Sequence, residues 1–175
     1  PATPAGVVLA VADRLDSLVA LFAVGCAPTS AADPYALRRA ALGVLSTLRA
    51  SGTAASLADA VAAAADCVGT PEAAATVPDV LDFLSRRLGV ALTDDGLPAD
   101  VVRAVLAAGA ADNPAAAAAT AADLAALRGA AADAGPSLDE ALAAHARPAR
   151  LVKSPAAAAE VAAAAAAVAT GTPAA

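Results

Sequence analysis

Apolar residues recur at helical spacing from the start of the chain. Val8, Leu9, Leu15, Leu18, Val19 and Phe22 predict a helix from Gly6 to Val24, stopped by Gly25-Cys26-Ala27-Pro28. After a loop from Thr29 to Asp33, the pair Asp33-Pro34 reads as an N-cap side chain followed by proline at the first helical position. It opens a second helix with the stripe Leu37, Ala41, Leu45 and Leu48. Gly52 and Thr53 break that pattern before a third helix on Leu57, Val61 and Val68, which ends at Gly69. A fourth helix sets Val77, Val80, Leu81, Leu84 and Leu88 on one face and Asp79, Asp82, Arg86 and Arg87 mostly on the other, with Asp94-Asp95-Gly96 as its turn. Pro98 opens a short helix with Val101, Val102, Val105 and Leu106, and Asn113-Pro114 starts a segment ending near Arg128. Ser137 and Glu140 have the spacing of a capping box. Beyond Ser154-Pro155 the chain is almost pure alanine and offers little to pack.

Composition changes the meaning of this pattern in one respect. Of the 175 residues 59% count as hydrophobic but only 2% are aromatic, because alanine makes up roughly a third of the chain against a much lower ordinary usage. Alanine has the best helix propensity, whereas strands favour β-branched and aromatic side chains, so the expected fold is all-α, a helical bundle. The apolar stretch Val7 to Val24 is expected to be a core helix and not a membrane span, since Asp13, Arg14 and Asp16 sit at its centre. No membrane partner is expected. The chain has no initiator Met and no basic-then-apolar leader, which leads us to expect a fragment of a longer chain.

Charge and cysteine usage narrow the chemistry. A net charge of −6 excludes nucleic-acid binding by bulk charge, so any RNA contact must be local. Cys26 and Cys67 have no CxxC or Cys/His spacing, and buried free thiols are expected. There is no glycine-rich phosphate loop, no GxSxG and no HExxH, and the single histidine, His145, reads as a solvated or capping residue. No catalytic residue and no metal are therefore expected.

Three charged groupings stand out. Asp13 and Asp16, with Arg14 between them, share one helix face, where they either bind a cation or position a basic group, or form a buried or half-buried structural ion pair with Arg38 or Arg39. Arg38 and Arg39, beside Tyr35 and free backbone amides at a helix start, are candidates to hold a phosphate and stack on a base; the same arginines are the candidate tie to Asp13 or Asp16. Arg147, Arg150 and Lys153 form the densest positive stretch, read either as a nucleic-acid contact or as a solvated helix end.

The run Ala12-Asp13-Arg14-Leu15-Asp16-Ser17-Leu18-Val19, then Phe22, Gly25 and Pro28-Thr29, and the block Asp33-Pro34-Tyr35-Ala36-Leu37-Arg38-Arg39-Ala40-Ala41-Leu42-Gly43 closely resemble the β subunit of bacterial-type glycyl-tRNA synthetase. They also resemble the β half of its fused organellar form. The resemblance continues more loosely through Val80 to Leu84 with Arg87, then Gly96 and Asp100 to Ala107, and ends around Arg147 to Lys153. It implies an HD-like domain's C-terminal helices over residues 1–50, a helical linker and partial anticodon-binding-type domain over 51–153, and an alanine-rich tail over 154–175.

The role implied is the tRNA-binding part of a glycine–tRNA ligase, with catalysis in the α subunit or α half. The implied partners are tRNA-Gly and that α part. ATP and Mg would serve the complete enzyme, with no cofactor in this chain. The compartment would be cytoplasmic in a bacterium and the chloroplast or mitochondrion in a eukaryote. Asp13 sits where HD-superfamily enzymes place their final metal-binding aspartate, but the His and His-Asp motifs that complete such a site are absent, so phosphohydrolase chemistry is a distant reading. Where similar proteins carry a basic Lys-Arg segment, Pro148 interrupts the run from Ala146 to Arg150. The competing expectation is a non-catalytic helical scaffold of the same descent that has lost tRNA binding.

Overall fold

The computed structural model describes residues 1, 3–29, 31–129 and 140. The chain divides into two compact units, Pro1–Ala125 and Ala126–Ala175. Among the described residues the secondary structure is helical, as the alanine content and apolar spacing imply.

Helix α1 (Pro4–Ala23) starts where Thr3 accepts a hydrogen bond from the Gly6 amide through its Oγ1 at 3.2 Å, with Pro4 in the first turn, where its missing N–H costs nothing. Its buried residues Val11, Leu15, Leu18 and Val19 form one stripe. Helix α2 (Leu37–Ser51) buries Leu37, Ala41, Val44, Leu45 and Leu48 against α1. Helix α3 (Leu57–Val68) is capped by Ser56, whose hydroxyl accepts from the Asp59 amide at 3.1 Å.

The long helix α4 (Pro71–Asp94) is the hub and packs on α1, α2 and α3. Pro78 lies inside it and removes one amide donor from the ladder, yet Val80, Phe83, Leu84, Leu88 and Leu92 are all buried beyond it. Phe83 meets Phe22 of α1 with ring centroids 5.4 Å apart, and the Arg87 guanidinium lies 5.8 Å from the Phe83 centroid. Helix α5 (Ala99–Ala107) lies close on α4 because Gly89 has no side chain: a Cβ there would sit 3.1 Å from Leu106 Cδ1. A 3-10 turn, Ala110–Asp112, follows. Its Asp112 carboxylate accepts from the Ser56 hydroxyl at 3.0 Å and the Ala58 amide at 2.8 Å, tying the turn to the start of α3. Helix α6 (Pro114–Gly129) begins at Asn113, whose side-chain oxygen accepts from the Ala116 amide at 3.0 Å.

Two expectations are corrected. Asp33-Pro34 does not start α2 directly: Pro34 and Tyr35 form a turn, Ala36 takes a left-handed backbone at φ 55°, and the helix begins at Leu37. The cysteines are free but not buried, because Cys26 sits half-buried in the loop after α1 and Cys67 lies on the outward face of the last turn of α3. The first unit has a buried core that runs from α1 into α6, where Ala117 and Ala121 join it. The capping pair Ser137 and Glu140 cannot be followed as a pair, since Ser137 lies outside the described residues. No helix among the described residues is long and apolar enough to cross a membrane.

Candidate functional site

The resembling block builds one open groove of about 860 Å³, lined by α1, by the start and outer face of α2, and by the end of α4. It is the first place to look for the grouped arginines and tyrosine. Asp33 sets its geometry. One carboxylate oxygen accepts from the Leu37 amide at 2.8 Å and the other from the Arg38 amide at 3.0 Å, so Asp33 satisfies two of the orphan donors of the α2 start from across the Pro34-Tyr35 turn. Those amides are therefore taken, which corrects the expectation of free backbone donors for a phosphate. Asp33→Ala should lower stability by about 1–2 kcal/mol, and Asp33→Asn by less because one acceptor remains; urea unfolding of the two variants checks this.

The turn and the helix then separate the two arginines. Successive helical residues point about 100° apart. The Arg38 guanidinium donates to the Thr29 carbonyl and closes the preceding loop, whereas Arg39 is exposed and lines the groove with Tyr35, which is 55% exposed. Of the grouping Tyr35, Arg38 and Arg39, the groove thus collects Tyr35 and Arg39.

On the facing helix, Asp13 and Arg14 line the same groove. Arg14 is half-buried, donates to the Ala10 carbonyl at 2.6 Å one turn back, and lies flat across α2 at Gly43. The expected ion pair between Asp13 or Asp16 and Arg38 or Arg39 is corrected. Both carboxylates are exposed, and Arg38 is turned to the Thr29 carbonyl; ion pairs join Arg49 to Asp95 and Arg86 to Asp82 instead. Arg14 likewise bonds a carbonyl and not an aspartate.

Gly43 makes the Arg14 placement possible. A Cβ there would fall 2.9 Å from Arg14 Cδ and 3.3 Å from its Cζ. Gly43→Ala gains about 1 kcal/mol of helix propensity but must push Arg14 off the helix, losing a hydrogen bond of similar worth. We expect Gly43→Ala to be nearly neutral in the native background and stabilising by about 1 kcal/mol when Arg14 is also changed to Ala. A double-mutant cycle measures the difference.

The sequence reading missed Arg49, Asp94 and Asp95. Arg49, in the last turn of α2, pairs with Asp95 just past the end of α4 and holds the far end of the groove. Asp94-Asp95 read as a turn, and a partner 46 positions away leaves no local signal. The groove carries Arg14, Arg39 and Arg49 against Asp13, Asp94 and Asp95, so it is charge-balanced and not a basic funnel. A polyanion would find its best footing at the outer rim, where Tyr35 and Arg39 are exposed. Among the described residues no three His, Cys, Asp or Glu side chains gather as metal ligands. Arg147, Arg150, Lys153 and His145 lie outside the described residues.

Comparison with known proteins places this block. Residues 1–107 match the family described as glycyl-tRNA synthetase beta subunit. The glycine–tRNA ligase, chloroplastic/mitochondrial 2, of Arabidopsis thaliana is 46% identical over 107 residues, covering 61% of this chain and 10% of that protein. The glycine–tRNA ligase beta subunit of Desulforudis audaxviator is 46% identical over 115 residues, 64% of this chain and 17% of the relative. That of Rhodospirillum centenum is 42% identical over 113 residues, 65% of this chain and 16% of the relative. The chain therefore spans 10% to 17% of the length of these relatives.

Proposed function

The chain belongs to the glycyl-tRNA synthetase beta subunit family, and from that premise we propose that it is a tRNA-binding part of a glycine–tRNA ligase, serving the attachment of glycine to tRNA-Gly while the α part does the chemistry. The observation that carries this reading is the coincidence of the matched block with the groove whose lining includes the exposed Tyr35 and Arg39. A guanidinium offers a phosphate up to two parallel hydrogen bonds, and a phenol ring offers any base a stacking face. Asp33 fixes where α2 starts, and the helix phase from that start sets Arg39 on the groove side, while Arg38 closes the loop before it. Arg147, Arg150 and Lys153 are the second, weaker set of contacts under this reading.

ATP and Mg belong to the complete ligase. The proposed role of this chain within it is binding, with the chemistry assigned to the α part. The α subunit or α half is the proposed partner, in the bacterial cytoplasm or in the chloroplast or mitochondrion according to the host.

Two observations favour a second reading, a scaffold that kept the fold and lost tRNA binding: the groove is charge-balanced, and the chain carries a net charge of −6. A gel shift with tRNA-Gly at increasing salt separates the two. Under the binding reading the affinity falls steeply and log-linearly with salt; a scaffold gives no shift even at the lowest salt.

A further inference from the structure

A second groove, of about 630 Å³, lies on the other side of α1, between its N-terminal half and α3. Its walls are nearly all apolar. On the α1 side Val8 and Leu9 are 68% and 71% exposed, large side chains in water at the edge of a concave surface. On the α3 side Ala60, Ala64 and Cys67 are small, so another helix can approach to ordinary helix-packing distance. The lining runs from Val7 to Asp16 on α1, about 14 Å of helix at the standard rise, which is the footprint of two to three turns of a partner helix.

The charges on this groove have one sign. Asp13 and Asp16 both line it, both are exposed, and neither takes part in an ion pair among the described residues. No lysine or arginine lines it. An apolar trough with two carboxylates at one end is complementary to a helix that carries an apolar stripe and a Lys or Arg beside it. The relatives hold most of their length outside the aligned block. We propose that this groove seats a basic amphipathic helix from the part of the β polypeptide that lies outside the block aligned here. The proposal rests on family membership and not on tRNA binding, so the gel shift and the test below fail independently.

Cys67 supplies the readout, because it is exposed and lies in the groove. In a Cys26→Ala variant it is the sole thiol, and its alkylation rate reports cover. The probes are helix-length peptides tiling the Desulforudis audaxviator β subunit outside the aligned residues. We expect a peptide with an apolar stripe flanked by Lys or Arg to slow Cys67 alkylation about tenfold when present at about ten times its Kd. That protection should be lost in Leu9→Asp and weakened by added salt and by Asp13→Asn with Asp16→Asn.

Circular dichroism shows whether each variant keeps its helices; since Leu9, Asp13 and Asp16 are exposed, their replacement leaves the core intact. The proposal is overturned if no peptide protects Cys67. It is equally overturned if protection comes only from peptides without a basic flank, if it survives Leu9→Asp, or if Cys67 is already slow in the chain alone in proportion to protein concentration, which would make a second copy the occupant.

Discussion

Leu84→Ala is expected to cost about 3 kcal/mol of stability. Leu84 is fully buried in the hub helix α4, whose buried face meets α1, α2 and α3. Removing its isobutyl group loses the transfer free energy of the missing carbons and leaves a cavity that several helices must close at once, and such sites relax poorly. Leu42, on α2 and 42% exposed, is the control: Leu42→Ala should change stability by less than about 0.5 kcal/mol. Urea unfolding followed by far-UV circular dichroism measures both. Equal losses for the two variants would mean that α4 is not the centre of the core.

The same substitution separates stability from function. Leu84 does not line the groove of Tyr35 and Arg39. Under conditions where Leu84→Ala is still folded, its tRNA binding should match that of the parent chain, whereas a loss in proportion to the unfolded fraction identifies a purely global effect.

How far the sequence disclosed this structure depended on the range of the interaction. Leu15, Leu18 and Val19 on α1, and Leu37, Ala41, Leu45 and Leu48 on α2, are buried as their spacing implied, whereas Val8 and Leu9, expected in the α1 stripe, are exposed and Val11 is buried instead. Helical periodicity is a local property, and so is the capping chemistry of Asn113 before α6. The start of α2 was misplaced because Asp-Pro carries two local signals at once. As a cap plus first-turn proline it starts a helix directly, but the Asp33 carboxylate reaches over a turn to amides four and five residues on, and only the folded geometry selects between these.

Cys67 is expected to be buried because its spacing offers neither a disulfide nor a metal site, yet it falls two residues beyond the buried Ala65 and so points outward. The site divides along the same line. The grouping of Tyr35 and Arg39 was visible as a short-range pattern, but the splitting of Arg38 from Arg39 needed the actual helix phase. The Arg49 and Asp95 clamp needed the packing of α2 against α4, which no local pattern encodes.

Under the proposed role, tRNA is held at the rim of this groove by Arg39 and not by its neighbour. Arg39→Glu removes an exposed guanidinium that bonds nothing essential to the fold, and places a carboxylate where a phosphate would rest. Arg38→Glu breaks the bond to the Thr29 carbonyl and so loosens a loop, while leaving Arg39 in place. Charge-assisted contacts of this kind are worth about 1.5–3 kcal/mol, which corresponds to roughly tenfold or more in affinity.

The deciding measurement is the dissociation constant for tRNA-Gly of the parent chain, Arg39→Glu and Arg38→Glu across a salt series. Arg39→Glu is expected to weaken binding about tenfold or more at low salt and to flatten the slope of log affinity against log salt by about 1, whereas Arg38→Glu keeps the parent slope. An Arg39→Glu protein that folds normally and binds tRNA with the parent affinity and slope would contradict the proposed role.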